Sequence, residues 1–197
     1  MSSRPPNLTF KLVLLGDGRV GKTSLVLRYV NNSFSEKQQA TVQASYLTKR
    51  LVIEGVPITL SIWDTAGQER FHALAALLVY DITDNDTFVR VRKWVKELQQ
   101  MASKNIIMTI AANKSDLVRS KKFDIQEAES YAAAIGSKLF LTSAKSGTGV
   151  EEAFLDIATR LLQNKKNSVE GLSPAPPRKG IVIVDEPEKE PPPKCCS

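Results

Sequence analysis

Residues 16–23 read Gly16-Asp17-Gly18-Arg19-Val20-Gly21-Lys22-Thr23, which fits the pattern G-x-x-x-x-G-K-[ST]. A largely apolar run at residues 10–15 precedes this segment, and a helix-like run beginning at Ser24 follows it. Consecutive backbone N–H groups at a helix N-terminus form a nest that suits a polyphosphate. The Lys22 side chain would reach the β- and γ-phosphates, and the Thr23 hydroxyl would bind Mg²⁺. The alternative is a glycine turn after a core strand, and the rest of the chain decides between the two.

The composition is that of one globular domain. The chain has 197 residues, of which 42% are hydrophobic and 24% charged, and this length is sufficient for a sizeable core. The formal net charge is +6, but no run of five basic residues occurs, so we expect a solvated basic surface rather than a nucleic-acid interface. We find no apolar stretch of about 18 residues and no apolar signal core near the N-terminus.

Proline marks the expected domain boundaries. Seven of the ten prolines lie between Pro174 and Pro193, whereas Pro57 is the only one between Asn7 and Ser173. We therefore expect a disordered N-terminus at residues 1–7, a globular domain at residues 8–165 and a proline-rich flexible tail at residues 166–197.

Strand and helix patterns alternate along the globular part. Beyond the first strand and helix, strands are predicted at residues 45–53, 58–64, 76–80, 106–112 and 139–142, and helices at residues 87–102, 124–135 and 148–163. This alternation predicts an α/β fold with a mostly parallel sheet. Ligands bind at the carboxyl ends of such strands. The glycine-rich loop, Asp64, Asn113 and Thr142-Ser143 each follow a predicted strand, so we expect them to converge.

Two further segments suit recognition of a guanine base. In Asn113-Lys114-Ser115-Asp116, the Asp116 carboxylate can accept two N–H bonds from guanine, which adenine cannot offer. The segment Ser143-Ala144-Lys145 can add a backbone N–H for the guanine carbonyl oxygen. Each segment taken singly is also compatible with an ordinary loop.

The segment after the third predicted strand suits phosphate chemistry. Asp64 is placed to hold Mg²⁺, directly or through water, and the Gly67 N–H to meet a γ-phosphate. Gln68 is placed to orient an attacking water. In isolation Asp64 could equally be a helix cap, and Gln68 a solvated loop residue.

Taken in order, GDGRVGKT, WDTAGQE, NKSD and SAK resemble the Ras superfamily of small GTPases over roughly residues 8–165. WDTAGQERFHAL, LLVYDIT and the two C-terminal cysteines are similar to the Rab subfamily. TSLVLRY, QASYLTKRL and WVKELQQM resemble the Rab-twenty-one type within it, near the early-endosomal Rabs. The resemblance implies a three-layer P-loop domain with a mostly parallel six-stranded sheet. It also implies a monomeric enzyme that hydrolyses GTP to GDP and phosphate with Mg²⁺.

The resemblance also implies residue roles. Gln68 would be the catalytic glutamine, Thr41 would bind Mg²⁺ and the γ-phosphate, and Phe34 would cover the guanine ring edge. Tyr46 and Trp63 would belong to an effector surface. The complete expected nucleotide set is Gly16, Asp17, Gly18, Arg19, Val20, Gly21, Lys22, Thr23, Ser24, Phe34, Thr41, Gly67, Asn113, Lys114, Asp116, Ser143, Ala144 and Lys145, with Thr23, Thr41 and Asp64 on the metal.

The chain departs from the family between Leu74 and Leu77, where it has only Ala75-Ala76. Family members carry a longer second-switch segment at this place, which includes a tyrosine pair. A return along a strand of roughly 20 Å would require residues 65–75 to be nearly extended. We therefore expect either a truncated second switch held under tension or a shortened flanking strand. A second departure is Gln43, where the family commonly has glycine.

The tail ends Lys194-Cys195-Cys196-Ser197, which does not fit the C-a-a-X motif. The resemblance implies double geranylgeranylation of Cys195 and Cys196, which gives stable anchoring where one lipid chain is marginal. The partners it implies are an exchange factor, a GTPase-activating protein, a GDP-dissociation inhibitor or escort protein, and effectors. The implied location is the cytoplasmic face of endosomal or Golgi membranes, in exchange with the cytosol.

Three functions therefore compete. The first is a Rab-type switch in vesicle and endosomal trafficking. The second is a guanine-nucleotide-binding variant whose hydrolysis and effector binding are impaired by the short second switch. The third is a P-loop phosphotransferase, against which the NKSD segment and the absence of an Arg-rich lid segment argue.

Overall fold

The computed structural model describes residues 7–41, 45–64, 72–103, 105–120 and 125–170. Within them the strands are β1 (Leu8–Leu15), β2 (Ser45–Ile53), β3 (Val56–Asp64), β4 (Ala75–Asp81), β5 (Ile107–Asn113) and β6 (Lys138–Leu141). The helices are α1 (Lys22–Asn31), α2 (Asn85–Met101), α3 (Ile125–Ala134) and α4 (Val150–Glu170), with a short 3-10 helix at Ser115–Ser120. In these residues no helix combines the length and apolar character needed to cross a membrane.

The strands form one sheet in the order β2-β3-β1-β4-β5-β6. Strand β2 pairs antiparallel with β3, and the other neighbouring strands are parallel. The β2–β3 hairpin turns through Glu54 and Gly55, whose φ angles are 51° and 76°. Positive φ at both turn residues matches the right-handed twist of the flanking strands. The predicted six-stranded, mostly parallel sheet is therefore confirmed.

Alternation along β1 creates two cores. Leu12 and Leu14 belong to a buried cluster with residues of α1 and α4, such as Leu25 and Phe154. Val13 and Leu15 belong to a second cluster that includes residues of α2 and α3. Since successive side chains of a strand point to opposite faces, helices cover both faces of the sheet. This is the three-layer arrangement that the sequence resemblance implies.

Helix α2 follows its predicted pattern except at its end. Asp84 is the N-cap and accepts a hydrogen bond from the Asp86 backbone N–H at 3.1 Å. Four apolar residues at helical spacing are buried, namely Phe88, Val91, Val95 and Leu98. Met101 continues this spacing but is 62% exposed, because it is the last residue of the helix.

Helix α4 is longer than predicted. The sequence pattern placed its end near residue 163, whereas the helix continues to Glu170. Leu161 and Leu162 are buried, and residues 163–168 are exposed. The helix thus extends beyond its apolar periodicity. It continues because no helix-breaking residue occurs before Gly171. The Lys166 ammonium contacts the Glu54 carboxylate at 2.6 Å, which links this exposed part to the β2–β3 hairpin.

The crossover from β3 to β4 is shorter than the sequence led us to expect. Asp64 pairs beside Leu14 of β1, and Ala75 pairs beside Leu12 of the same strand. The connection must therefore run back along β1 by only two residues, from the level of Leu14 to that of Leu12. The end of β3 and the start of β4 are about 12 Å apart across the sheet. The ten intervening residues, 65–74, would cover about 15 Å even as a helix. The expected need for a nearly extended link was therefore wrong, because β4 is displaced toward the carboxyl edge of the sheet.

Candidate nucleotide-binding site

The loop between β1 and α1 requires glycine at two positions. A Cβ atom at Gly16 would lie 2.2 Å from the Val79 carbonyl oxygen, and one at Gly21 would lie 2.5 Å from the Asn113 side-chain nitrogen. The φ angles of the two glycines are 149° and 93°. The loop thus packs against the carboxyl ends of β4 and β5, and α1 begins immediately after it. The first N–H groups of this helix lack helical partners and can bind an anion.

A cavity of about 870 Å³ opens at the carboxyl edge of the sheet. Predicted residues that line it are Gly18, Arg19, Gly21, Lys22, Thr23, Ser24, Phe34, Thr41, Asp64, Asn113, Lys114, Asp116, Ala144 and Lys145. The Val20 side chain instead packs in the core, and Asp17 forms an ion pair with Arg90 at 2.8 Å. Neither residue lines the cavity, and their backbone carbonyls accept hydrogen bonds from Lys22 and Asn113.

Lys22 bridges the glycine-rich loop. Its ammonium donates hydrogen bonds to the carbonyl oxygens of Gly16 at 2.9 Å and Asp17 at 2.8 Å. Burial lowers the pKa of Lys22, and the negative charges of Asp64 and Asp17 oppose that effect. The result is a partly buried ammonium beside the glycine-rich loop, at one end of the cavity.

Three oxygen ligands meet beside Lys22. The hydroxyl oxygens of Thr23 and Thr41 are 2.6 Å apart, and the Thr23 hydroxyl donates to the Asp64 carboxylate. Hydroxyl and carboxylate oxygens are hard ligands that fit Mg²⁺. Among the described residues no cluster of three or more His, Cys, Asp or Glu side chains is placed to hold a metal. A nucleotide-bound Mg²⁺ does not need one, because phosphates and water complete its shell.

At the other end of the cavity, Asn113 joins two loops. Its side-chain N–H donates to the Val20 carbonyl at 2.8 Å, and its side-chain oxygen accepts from the Ala144 backbone N–H at 3.3 Å. Asn113 is only 1% exposed. Its side chain therefore holds the glycine-rich loop against the Ser143–Lys145 loop. The sequence had indicated only a role of the Asn113–Asp116 segment in base recognition.

The Asp116 carboxylate is exposed and held by Ser143. The Ser143 hydroxyl donates to Asp116 at 2.6 Å, and it accepts from the Ser146 backbone N–H at 3.0 Å. Ser143 itself is fully buried. Asp116 is thus oriented at the rim of the cavity, where its second oxygen remains available to a ligand.

Lys114 is fixed by Asp81, a residue to which the sequence analysis gave no role. Lys114 has a φ of 65°, and its ammonium contacts the Asp81 carboxylate at 2.5 Å. Burial acts to raise the pKa of Asp81, but hydrogen bonds from Lys114 and Thr83 outweigh it, so the pKa is lowered. The rule that sites lie at carboxyl ends of strands could have identified Asp81, because it follows the apolar run of β4.

A salt bridge closes the rim near Phe34. The Lys145 ammonium contacts the Glu36 carboxylate at 2.7 Å, and both side chains are exposed. This hydrogen bond lowers the pKa of Glu36 and raises that of Lys145. The segment after α1 is thereby connected to the Ser143–Lys145 loop across the mouth of the cavity.

The aromatic pair predicted for an effector surface lies outside the cavity. Tyr46 is 52% exposed, and its ring is 5.0 Å from that of Trp63. The Lys11 ammonium lies 4.7 Å from the Trp63 ring centroid. Four other predicted residues, Gly67, Gln68, Cys195 and Cys196, fall outside the described residues, as does Gln43.

Comparison with known proteins agrees with this geometry. Residues 11–163 match the model of the Ras family. The chain belongs to the Ras family. It is 48% identical to the mouse Ras-related protein Rab-21 over 204 aligned residues, which cover 96% of the chain and 92% of the mouse protein. The human Rab-21 is 50% identical over 192 residues (90% of the chain, 85% of the human protein). The Rab-21 of Dictyostelium discoideum is 46% identical over 170 residues (82% and 80%).

These similarities establish a small GTPase of the Rab type, an enzyme that binds guanine nucleotides and hydrolyses GTP. The sequence resemblance to the Rab-twenty-one type is likewise confirmed. The alignment with the mouse protein spans 204 positions, which is more than the 197 residues of this chain. The chain therefore lacks positions that the mouse protein has.

Proposed function

We propose that this Rab-type GTPase acts as a GTP-dependent switch in vesicle and endosomal membrane trafficking. The observation that carries the proposal is the arrangement of one cavity, with Thr23, Thr41 and Asp64 at its phosphate end and Asp116 at its base end. A guanine nucleotide with Mg²⁺ matches both ends. In such switches the γ-phosphate holds the switch segments, and hydrolysis releases them.

At the phosphate end, we assign Thr23, Thr41 and Asp64 to Mg²⁺, and Lys22 to the β- and γ-phosphates. When bound, Mg²⁺ would neutralise charge on the phosphate oxygens. Lys22 now satisfies its N–H groups with two loop carbonyls, and phosphate oxygens would be alternative acceptors for them. Thr41 lies in the segment after α1, so its contact with Thr23 links that segment, which we assign as the first switch, to the glycine-rich loop.

At the base end, we assign Asp116 to the two N–H groups of guanine and the Ser143–Lys145 loop to its carbonyl oxygen. Phe34 lines the same cavity and would cover the ring edge. An adenine base would leave the Asp116 carboxylate without its two donors, so we expect it to bind more weakly than guanine.

For hydrolysis, we assign Gln68 to the attacking water, as in other members of the family. The supporting observation is the short distance between the ends of the second-switch segment (residues 65–74), since tension in that segment would be expected to misplace Gln68. The competing function is a nucleotide-binding variant with impaired hydrolysis and effector binding.

Single-turnover GTP hydrolysis by the full chain separates these two functions. We expect bound GTP to be converted to GDP and phosphate, and Gln68→Leu to slow this at least about tenfold. Gln100→Leu, on the exposed surface of α2, is the matched control and should leave the rate unchanged. Intact GTP in the unmodified chain would favour the impaired variant, and equal rates with and without Gln68 would remove its proposed role.

Membrane attachment is assigned to double geranylgeranylation of Cys195 and Cys196, and the active form to the cytoplasmic face of endosomal or Golgi membranes. The proposed partners are an exchange factor, a GTPase-activating protein, a GDP-dissociation inhibitor or escort protein, and effectors that contact the Tyr46–Trp63 pair. Replacing both cysteines by serine should move the protein from membranes to cytosol in cell fractionation, whereas Ser197→Ala should not. Membrane association of the double variant would contradict this assignment.

A further inference from the structure

Arg28 reaches from the last turn of α1 to the base end of the cavity. Its Nε donates to the Ala144 carbonyl at 2.8 Å, and one terminal nitrogen donates to the Lys145 carbonyl at 2.8 Å. The other terminal nitrogen donates to the backbone and side-chain oxygens of Asn32, at 3.2 Å and 3.0 Å. The planar guanidinium thus bonds two consecutive carbonyls that are more than 100 positions away in sequence.

The first of these bonds determines where a backbone N–H points. In a trans peptide unit the C=O of one residue and the N–H of the next point in opposite directions, and no cis peptide occurs in the described residues. Since the Ala144 carbonyl points toward Arg28, the Lys145 N–H points away from it. Ala144 and Lys145 both line the cavity. We take this N–H, which points away from Arg28 in a segment that lines the cavity, as the donor for a purine carbonyl.

The second bond acts on Asp116 through Ser143. The Lys145 carbonyl points toward Arg28, so the Ser146 N–H of the same peptide unit points the opposite way, to the Ser143 hydroxyl at 3.0 Å. This hydroxyl in turn donates to the Asp116 carboxylate at 2.6 Å. A continuous set of hydrogen bonds thus runs from Arg28 to the carboxylate assigned to the base.

We propose that Arg28 is a positioning residue for purine recognition, which orients the Lys145 N–H and the Asp116 carboxylate by holding the carbonyls of Ala144 and Lys145. The inference rests on the proposed nucleotide site and adds a residue that lies outside the sequence motifs. A purely structural Arg28, which only completes the C-terminal end of α1 through Asn32, would affect every ligand equally.

The test compares two nucleotides that differ in the groups these residues would recognise. GDP carries the carbonyl at position 6 and the ring N–H. The diphosphate of 2,6-diaminopurine riboside keeps the phosphates and the 2-amino group but has an amino group at position 6 and no ring N–H. Dissociation constants of both are measured by competition for the full chain, Arg28→Ala, Arg28→Lys and the control Arg50→Ala, which removes an exposed arginine from β2.

We expect Arg28→Ala to weaken GDP binding about tenfold or more, because two charge-assisted hydrogen bonds are lost. The affinity for the diaminopurine analogue should change by a clearly smaller factor, since that base lacks the carbonyl and the ring N–H and keeps only the 2-amino group as a partner for Asp116. Arg28→Lys should show the same selective loss at smaller size, because an ammonium cannot bond both carbonyls as a planar fork does. Arg50→Ala should match the unmodified chain.

Equal losses for both nucleotides, or no loss for GDP, would overturn the inference while leaving the nucleotide site intact. If Arg28→Ala does not fold, the selective loss must appear in Arg28→Lys, and its absence there is equally decisive. Failure of the unmodified chain to bind GDP at all would overturn the proposed function, and this inference with it.

Discussion

The hydroxyl oxygens of Thr23 and Thr41 lie 2.6 Å apart, although Thr23 belongs to the first turn of α1 and Thr41 to the segment that follows this helix. The Thr23 hydroxyl also donates to Asp64 at the end of β3. Three separate parts of the chain thus place oxygen atoms at one point. Since this point adjoins Lys22, we take it as the Mg²⁺ position of the nucleotide complex.

The first prediction concerns the metal. Thr23→Ala removes the hydroxyl shared by Thr41 and Asp64, so we expect GDP to dissociate at least about tenfold faster at millimolar Mg²⁺. Chelating Mg²⁺ should accelerate release from the unmodified chain and change it little in the variant. Release of a fluorescent GDP measures both. Thr48→Ala, exposed on β2, is the control, and equal sensitivity to chelation in all three proteins would contradict the assignment.

The second prediction concerns the buried amide that joins two loops. Asn113→Ala leaves the Val20 carbonyl and the Ala144 N–H without their partner, so we expect a loss of about 2–3 kcal/mol in the free energy of unfolding. Denaturant unfolding measures this loss, and Asn105→Ala at an exposed position is the control. A loss no larger than that of the control would show that Asn113 does not hold these loops.

The third prediction concerns pH. Because the pKa of Asp81 is below its ordinary value of 3.8 in the folded chain, its charged form stabilises the fold above that value. This contribution is lost as the pH falls through the lower folded-state pKa. The difference in unfolding free energy between the unmodified chain and Asp81→Asn should be constant above about pH 5 and shrink below about pH 4.

The matched control for this pH series is Asp86→Asn, which replaces an exposed aspartate in the first turn of α2. A difference between the unmodified chain and Asp81→Asn that stays constant down to about pH 3 would contradict the assigned pairing with Lys114.

The fourth prediction compares two glycines of the same loop. Gly16→Ala would place a Cβ 2.2 Å from the Val79 carbonyl at a φ of 149°, whereas a Cβ at Gly18 meets nothing within 4 Å. We expect Gly16→Ala to destabilise the fold by more than about 3 kcal/mol and Gly18→Ala by less than about 0.5 kcal/mol. Thermal unfolding measures both, and similar effects of the two substitutions would show that the loop can shift away from β4.

The sequence predicted the class of fold and the convergence of several polar residues at one edge of the sheet, because both follow from patterns of neighbouring residues. Apolar runs followed by polar residues identified the parallel strands and their carboxyl ends, at which Thr23, Asp64 and Asp116 indeed converge. The spacing of glycines in the sequence predicted the glycine-rich loop. That spacing is informative because glycine is required where the loop backbone approaches β4 and β5.

Other features depend on tertiary contacts that the sequence does not display. The stagger of β4 against β1 could not be read from apolar runs, and it shortened the expected crossover. Arg28 and Asp81 carry no motif, and their roles arise from partners on loops far away in sequence. The end of α4 was misplaced because its last turns are exposed and carry no apolar periodicity.

The most direct test of a guanine-nucleotide site is to purify the full chain in Mg²⁺ buffer and identify the nucleotide that accompanies it by chromatography. We expect one GDP or GTP per protein molecule, released on chelation of Mg²⁺. A folded protein that carries no nucleotide, or that carries an adenine nucleotide, would contradict the assignments of Asp116 and of the Thr23–Thr41–Asp64 cluster.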